Sequence, residues 1–80
     1  MRSSTIRTVL TEHAKLDVAA ESLDENASLY EAGLSSLSTV NVMLAIEDAL
    51  GIEFPESMLN RRTFESISSI VDALEQLQDA

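Results

Sequence analysis

The sequence predicts an all-α fold: a four-helix bundle with three principal helices and a short third helix. Three segments carry apolar residues at the spacing of one helix face. Hydroxyl residues that can cap a helix, or a proline that can start one, lie at the predicted helix starts. No segment shows the apolar–polar alternation of a strand. With 80 residues the chain has room for one domain, which we assign to residues 1–80.

The first helix is predicted over about residues 4–15. Hydroxyl side chains offer caps at its start, and Leu16 can continue an apolar stripe that consists of Ile6, Val9 and Leu10. Residues 17–35 then lose the helical periodicity. Four apolar residues still recur there, namely Leu23, Leu29, Tyr30 and Leu34. This pattern indicates a long loop anchored to the core and not a disordered linker.

The second helix is predicted to begin at Ser35-Ser36 and to end at Gly51, because glycine accepts the left-handed conformation that terminates helices. It carries two apolar stripes. The first stripe consists of Val42, Ile46, Ala49 and Leu50, and the second of Leu37, Val40 and Leu44. Periodicity alone allows two interpretations: the second stripe faces a partner, or the helix is buried nearly all round.

The remaining chain predicts a short helix and a long one. Pro55 can start the short helix over residues 56–60, and Thr63 can cap the last helix. The apolar side of the last helix consists of Ile67, Ile70, Val71, Leu74 and Leu77. We expect one core, closed from the loop by Leu29 and Tyr30, that contains Ile6, Val9, Leu10, Val42, Ile46, Leu50, Ile67, Ile70, Val71 and Leu74.

Acidic residues dominate the charge, with 14 Asp and Glu against 5 Lys and Arg and a formal net charge of -9. Such a surface repels nucleic acid and anionic lipid, and it attracts proteins with basic patches. The sequence therefore predicts protein partners, with no nucleic acid or membrane among them. No segment approaches the roughly 20 apolar residues of a membrane span. We expect a soluble, unprocessed monomer, and the absence of cysteine suits a reducing cytoplasm.

The sequence lacks the residues that catalysis or metal binding would need. His13 is the only imidazole and has no evident nucleophile beside it. A calcium loop that begins at Asp24 fails because Leu29 stands where glycine is required and Ser35 where a bidentate glutamate is required. We therefore expect a protein that is not an enzyme and that holds no metal.

The run Gly33-Leu34-Ser35-Ser36-Leu37 lies where the loop becomes the second helix. A serine pair at such a place is usually only a cap. Ser35 alone can supply the cap, however, and this leaves the Ser36 hydroxyl free and pointing outward. The unpaired N–H groups and partial positive charge of a helix N-terminus favour a phosphodiester there. The motif thus favours an anionic ester on Ser36 and a second helix with an exposed face.

This motif, together with the run Glu47-Asp48-Ala49-Leu50-Gly51-Ile52-Glu53-Phe54-Pro55, resembles the acyl carrier protein family over nearly the whole chain. In that family a serine receives 4'-phosphopantetheine from coenzyme A through a magnesium-dependent phosphopantetheinyl transferase. Ser36 matches that serine. The resemblance implies a covalent arm whose thiol carries cargo as a thioester, with the transferase as one partner.

The chain departs from the family at positions that are commonly acidic and are here Ser35, Ser38 and Asn41. The second helix has therefore lost charge against which partners of fatty-acid carriers place basic residues. Two basic residues, Arg61 and Arg62, instead follow the short third helix. Either they are a solvated pair that balances nearby acids, or they belong to a second docking surface.

The Gly-Leu-Ser-Ser motif and residues 54–64 are similar to stand-alone carriers that receive amino acids from amino acid:[carrier protein] ligases, enzymes that resemble class II aminoacyl-tRNA synthetases. D-alanyl carriers are another relative. The resemblance implies an amino acid cargo passed to a downstream acceptor. Two alternatives stay open: a specialised acyl carrier protein of fatty-acid, lipid or polyketide synthesis, and a helical adaptor without a prosthetic group.

We expect a partner to contact the second stripe of the second helix, and the ligase to dock on the region of the third helix as well as on the arm. Within that region, the apolar side chains either contact the enzyme or support the local backbone, while the arginines pair with acidic groups of the enzyme. The predicted partner-binding residues are Leu37, Val40, Leu44, Met58, Leu59, Arg61, Arg62 and Phe64.

Overall fold

Three α-helices and two short 3₁₀ turns make up the computed structural model, which describes residues 2–78. The helices are α1 (Arg2–His13), α2 (Ser36–Leu50) and α3 (Ile67–Gln78), and the 3₁₀ turns are Ala20–Ser22 and Glu56–Met58. α1 packs against both α2 and α3. The all-α prediction is confirmed, but the expected short third helix is a single 3₁₀ turn. Met1, Asp79 and Ala80, which the predicted domain includes, lie outside the described residues.

α1 begins and ends earlier than predicted. Ser3 and Ser4 lie inside the helix and are not its caps: the Ser4 carbonyl accepts a hydrogen bond from the Thr8 hydroxyl at 3.0 Å. The helix ends at His13 because Lys15 adopts a left-handed conformation with φ of 52°, which interrupts the right-handed helical path. Leu16, which was expected to continue the stripe, packs against the core from beyond the helix.

The long loop between α1 and α2 is fastened to the helices on both sides. The Arg7 guanidinium donates hydrogen bonds to the carbonyls of Ala20 and Leu23, at 2.7 Å and 2.8 Å. Farther along, the Leu29 N–H donates to the Glu65 carbonyl at 2.7 Å, just before α3. The anchored loop is therefore confirmed, although it contains a 3₁₀ turn that the periodicity did not indicate.

α3 begins at Ile67, and the residue that caps it is Ser66. The Ser66 Oγ accepts a hydrogen bond from the Ser69 N–H at 3.0 Å, which is the N-cap pattern. The prediction of Thr63 as the cap is wrong. Thr63 instead donates its N–H to the Asn60 Oδ1 at 3.1 Å, so a side chain closes a separate turn three residues before the cap.

The core draws side chains from all three helices and from both connections. Most predicted core residues are buried, whereas Leu50, Val71 and Tyr30 are only half-buried. The connections also contribute two phenylalanines, Phe54 and Phe64, whose rings meet edge to face with centroids 5.5 Å apart. The buried apolar residues are Ile6, Val9, Leu10, Ala14, Ala20, Leu29, Leu34, Val42, Ile46, Phe54, Phe64, Ile67, Ile70, Ala73 and Leu74.

Across residues 2–78, every helix is too short or too polar to cross a lipid bilayer. The same part of the chain contains no group of three or more His, Asp or Glu side chains that could hold a metal ion.

Candidate functional site

The chain turns sharply at Gly33 before it enters α2. Gly33 has φ of 116°, a conformation that residues with a Cβ rarely adopt, and its N–H donates to the Tyr30 carbonyl at 3.2 Å. The next residue, Leu34, is buried, and its N–H donates to the Leu29 carbonyl at 2.9 Å. These contacts tie the chain to the core immediately before Ser35, so the N-terminus of α2 has a defined position.

Ser35 is the N-cap of α2, as predicted. Its backbone is extended, and its Oγ accepts a hydrogen bond from the Ser38 N–H at 3.1 Å. Its hydroxyl also donates to the Ser38 Oγ at 3.0 Å, and its carbonyl accepts from the Thr39 N–H at 2.8 Å. The Ser35 hydroxyl is therefore engaged as both donor and acceptor within the first turn.

Ser36 is the first residue of α2, and its side chain is exposed. Within residues 2–78 its hydroxyl makes no hydrogen bond, in contrast to the hydroxyl of Ser35. The N–H groups of Ser36 and Leu37 also lack partners there, as expected for the first turn of a helix. The first turn contains no acidic residue. A phosphodiester on the Ser36 oxygen would meet free N–H donors and the positive end of the helix dipole, so the residues present fit such a group.

A groove of about 290 Å³ begins at Ser36 and runs between α2 and the segment before α3. Its volume is close to the lower end of ligand pockets, which occupy roughly 300–1,000 Å³. Apolar side chains form most of the lining, and no carboxylate of the described part of the chain contributes to it. The lining residues are Tyr30, Ser36, Thr39, Val40, Met43, Leu59, Asn60, Arg61 and Phe64.

Tyr30 and Arg61 hold each other at one side of this groove. The Arg61 guanidinium carbon lies 3.9 Å from the centroid of the Tyr30 ring, which is a cation–π contact. The Tyr30 hydroxyl donates a hydrogen bond to the Arg61 carbonyl at 2.7 Å. Burial raises the pKa of the Tyr30 hydroxyl, while the Arg61 charge opposes that rise and the Glu65 charge adds to it. Both ends of Arg61, side chain and backbone, are thus fixed on one aromatic residue.

Arg62 differs from its neighbour. It is exposed, and its guanidinium contacts no acceptor or aromatic ring in the part of the chain that the structure describes. The two arginines are therefore not equivalent: Arg61 is part of the groove, and Arg62 extends into solvent.

The half-buried Met58 packs against the core, and Phe64 is only 3% exposed. Of the two roles expected for Phe64, its burial is compatible with support of the local backbone and not with broad contact to a partner.

The two stripes of α2 have opposite environments. Val42 and Ile46 are fully buried, whereas the second stripe is exposed, with relative accessibilities of 75% for Leu37, 48% for Val40 and 53% for Leu44. The interpretation in which α2 is buried nearly all round is therefore wrong. Ala49, which the pattern assigns to the buried stripe, is exposed and lines an open depression between α1 and α2. Leu59 adds another exposed apolar side chain across the groove from Val40.

Several groove residues are absent from the site predicted from the sequence. Thr39 and Met43 lie three and seven residues after Ser36, so helical spacing alone could have placed them on its side of α2. Tyr30 was assigned only to the core, and its contact with Arg61 spans 31 residues. No local pattern indicates a contact of that kind.

Comparisons with known proteins agree with this site. Residues 4–74 match the family described as Phosphopantetheine attachment site. The chain is 42% identical to the aminoacyl carrier protein of Agrobacterium fabrum, over 96% of this chain and 93% of that protein. It is 31% identical to the D-alanyl carrier protein of Lactobacillus delbrueckii subsp. bulgaricus, over 80% of this chain and 89% of that protein.

The fold also matches a chain in the crystal structure of an engineered Bradyrhizobium japonicum glycine:[carrier protein] ligase complexed with carrier protein from Agrobacterium tumefaciens and ATP. That match has a TM-score of 0.93 and 40% identity, and it covers 96% of this chain and 100% of that chain.

Proposed function

The chain belongs to the family of carrier proteins with a phosphopantetheine attachment site, and from this membership we propose that Ser36 carries the arm and that the cargo is an amino acid. When attached, the arm supplies a terminal thiol on which an amino acid is held as a thioester. The chain is a carrier and not itself an enzyme. Its own residues therefore orient the arm and bind the enzymes that load and unload it.

The assignment of Ser36 rests on the different hydrogen bonding of two adjacent serines. Ser35 uses its hydroxyl to cap α2, whereas the Ser36 hydroxyl is exposed and has no hydrogen-bond partner within residues 2–78. A transferase can reach this oxygen without breaking a contact of the fold. The free N–H groups of Ser36 and Leu37 would then donate to the phosphodiester, which the helix dipole also stabilises.

Two features support an amino acid as the cargo. The similar protein of Agrobacterium fabrum is an aminoacyl carrier protein, and the matching fold comes from a complex with a glycine:[carrier protein] ligase. In addition, the first turn of α2 lacks the acidic residues against which fatty-acid enzymes place basic groups. An amino acid:[carrier protein] ligase is therefore the proposed loading enzyme, and a phosphopantetheinyl transferase supplies the arm.

We propose that the ligase docks on the exposed stripe of α2 and on the segment across the groove from it. Exposed apolar side chains that surround the arm are typical of the centre of an interface. Arg62 can pair with a carboxylate of the enzyme at the edge, because no group within residues 2–78 occupies its guanidinium. The proposed contact surface consists of Leu37, Val40, Leu44, Met58, Leu59, Arg61 and Arg62, with Phe64 beneath it.

The test is the intact mass of the protein after incubation with coenzyme A, magnesium and a phosphopantetheinyl transferase. Wild type should gain the mass of one phosphopantetheine, and Ser36→Ala should gain nothing. Ser35→Ala is the matched control, since it removes the neighbouring hydroxyl and should still be modified. If Ser35→Ala blocks the modification and Ser36→Ala permits it, the assignment is wrong by one residue. If wild type and both variants all stay unmodified, the chain is an adaptor.

Loading is tested next, on the holo protein with ATP, magnesium, the ligase and a mixture of amino acids. The added mass should equal one aminoacyl group, and it should disappear when an excess of a small thiol cleaves the thioester by exchange. Because the loading reaction consumes ATP and the arm comes from coenzyme A, we further propose that the carrier works in the cytoplasm. A holo protein that accepts only acyl groups would support the specialised acyl carrier instead.

A further inference from the structure

Among the described residues that line the groove beside Ser36, one carries a formal charge, and that charge is positive. Arg61 lines the groove, and within residues 2–78 neither an aspartate nor a glutamate lines it. Glu65 lies outside the lining, and its negative charge raises the pKa of Tyr30. A chain attached to Ser36 begins on the groove wall, so an arm that folds back onto the protein meets this surface first.

Two contacts with Tyr30 hold Arg61 at the wall of the groove. Its guanidinium carbon lies 3.9 Å from the centre of the Tyr30 ring, and its carbonyl accepts the Tyr30 hydroxyl at 2.7 Å. Swinging the side chain away would break the cation–π contact, and moving the backbone would break the hydrogen bond. Both contacts therefore favour a position of the Arg61 charge on the wall of the groove.

We propose that Arg61, held on Tyr30, makes this groove a charge filter that admits the arm with uncharged cargo and keeps a free α-ammonium group in solvent. An ammonium that entered would lose water, find no carboxylate partner in the lining and approach a guanidinium of the same sign. An uncharged chain suffers neither penalty against Val40, Met43 and Leu59. The inference rests on the proposed arm at Ser36, and it concerns which cargo the protein shields.

A carrier of amino acids would therefore keep its cargo exposed to partner enzymes and would not shield it in the groove. A cargo kept outside the groove is available to the next enzyme without first being released from the protein. An acyl group of similar size would instead spend time in the groove, where its thioester is less accessible to water and to other enzymes. One residue thus distinguishes two classes of cargo on the same arm.

The experiment compares cargoes that share a four-carbon acyl skeleton and differ in the group on the α-carbon: hydrogen, a charged ammonium or a neutral acetamide. A phosphopantetheinyl transferase attaches arms whose terminal group is butyryl, 2-aminobutyryl or N-acetyl-2-aminobutyryl, each in a hydrolysis-resistant amide linkage, and intact mass verifies each product. Methyl NMR then monitors Val40, Met43 and Leu59, which line the groove, with Leu44 as an exposed control outside it. We expect the two uncharged cargoes to shift the groove methyls relative to the unloaded holo protein, and the cationic cargo to leave them unshifted.

The Arg61→Gln and Arg61→Glu variants test the proposed cause. With either variant the 2-aminobutyryl arm should shift the groove methyls, more strongly for glutamate, whereas Arg62→Gln should behave as wild type because Arg62 does not line the groove. The comparison of cargoes in wild type stands even if an Arg61 variant fails to fold.

Three results would overturn the filter: equal shifts from cationic and uncharged cargo in wild type, no shift from uncharged cargo, or exclusion of the ammonium that survives in a folded Arg61→Glu protein. The ligase takes no part in any of these measurements. A protein that gains no arm would contradict the proposed function, and the filter with it. An arm that attaches without discrimination by charge would contradict the filter alone.

Discussion

Replacing Gly33 with alanine should destabilise the protein more than the same change at Gly51, although both glycines have positive φ. Gly51 caps α2 with φ of 64°, and a Cβ placed there meets nothing within 4 Å. Left-handed backbone costs an ordinary residue about 1–2 kcal/mol, and alanine recovers part of that by restricting the unfolded chain. Gly51→Ala should therefore lower the free energy of unfolding by about 1 kcal/mol.

At Gly33 an added Cβ would make close contacts in addition to straining the backbone. Its φ is 116°, and a Cβ would lie 3.0 Å from the Asp17 Oδ2 and 3.1 Å from the Asp17 backbone nitrogen. The carboxylate can rotate away, but the backbone nitrogen cannot, because its N–H donates to the Ala32 carbonyl at 2.8 Å. Strain of about 1–3 kcal/mol and a weakened hydrogen bond worth about 1 kcal/mol together give about 2–4 kcal/mol. That is a large fraction of the stability of a domain this small.

The assay is urea unfolding monitored by far-UV circular dichroism, with Gly51→Ala as the matched control and equal m-values as the criterion for comparison. The double variant Gly33→Ala/Asp17→Ala separates the two contacts. It should recover little stability, because the backbone nitrogen of residue 17 remains in place. If Gly33→Ala costs no more than Gly51→Ala, or if loss of the Asp17 carboxylate restores full stability, the argument from the backbone contact is wrong.

Three further predictions follow from burial and charge. Ile46→Ala should cost about 2–4 kcal/mol in urea unfolding, whereas Val71→Ala, at a half-buried position, should cost clearly less; equal losses would contradict the described core. Arg7→Met should lower stability by about 1–3 kcal/mol, because two loop carbonyls lose their charged donor, and hydrogen exchange should accelerate in that loop first. Arg62→Glu should slow ligase loading roughly two- to fivefold at low salt with an unchanged melting temperature, while Arg61→Glu should also lower that temperature because it loses its aromatic contact; wild-type loading by Arg62→Glu would remove the proposed ionic contact.

The boundaries of α2 show how far sequence reasoning reaches. Ser35 and Gly51 were predicted as its start and stop, and they are its N-cap and its left-handed C-cap. Capping depends on groups within one turn, so the necessary information lies in adjacent residues. The same reasoning failed at α3, where several hydroxyl residues compete. Thr63 and Ser66 are both good caps by composition, and only the turn closed by the Asn60 side chain decides between them.

The third helix region was misjudged for a related reason. Pro55 correctly marked the start of a helical turn, but the turn ends at Met58, and none of its three residues is buried. Short helices are marginal without tertiary packing, and propensity alone does not predict their length. Phe64 was expected either to contact the enzyme or to support the local backbone. It is buried against Phe54, a contact between two connections that no periodicity describes.

The sequence by itself determined the all-α fold, the cap at Ser35, the free hydroxyl at Ser36 and the acidic surface, since each follows from local chemistry or composition. Only the tertiary structure decided which stripe of α2 faces solvent, because α1 covers one side of that helix and leaves the other exposed. It likewise decided that Arg61 stacks on Tyr30, while the guanidinium of Arg62 has no partner within residues 2–78. Contacts between residues far apart in the chain depend on how the whole core packs, and a one-dimensional pattern of apolar and charged residues does not contain that geometry.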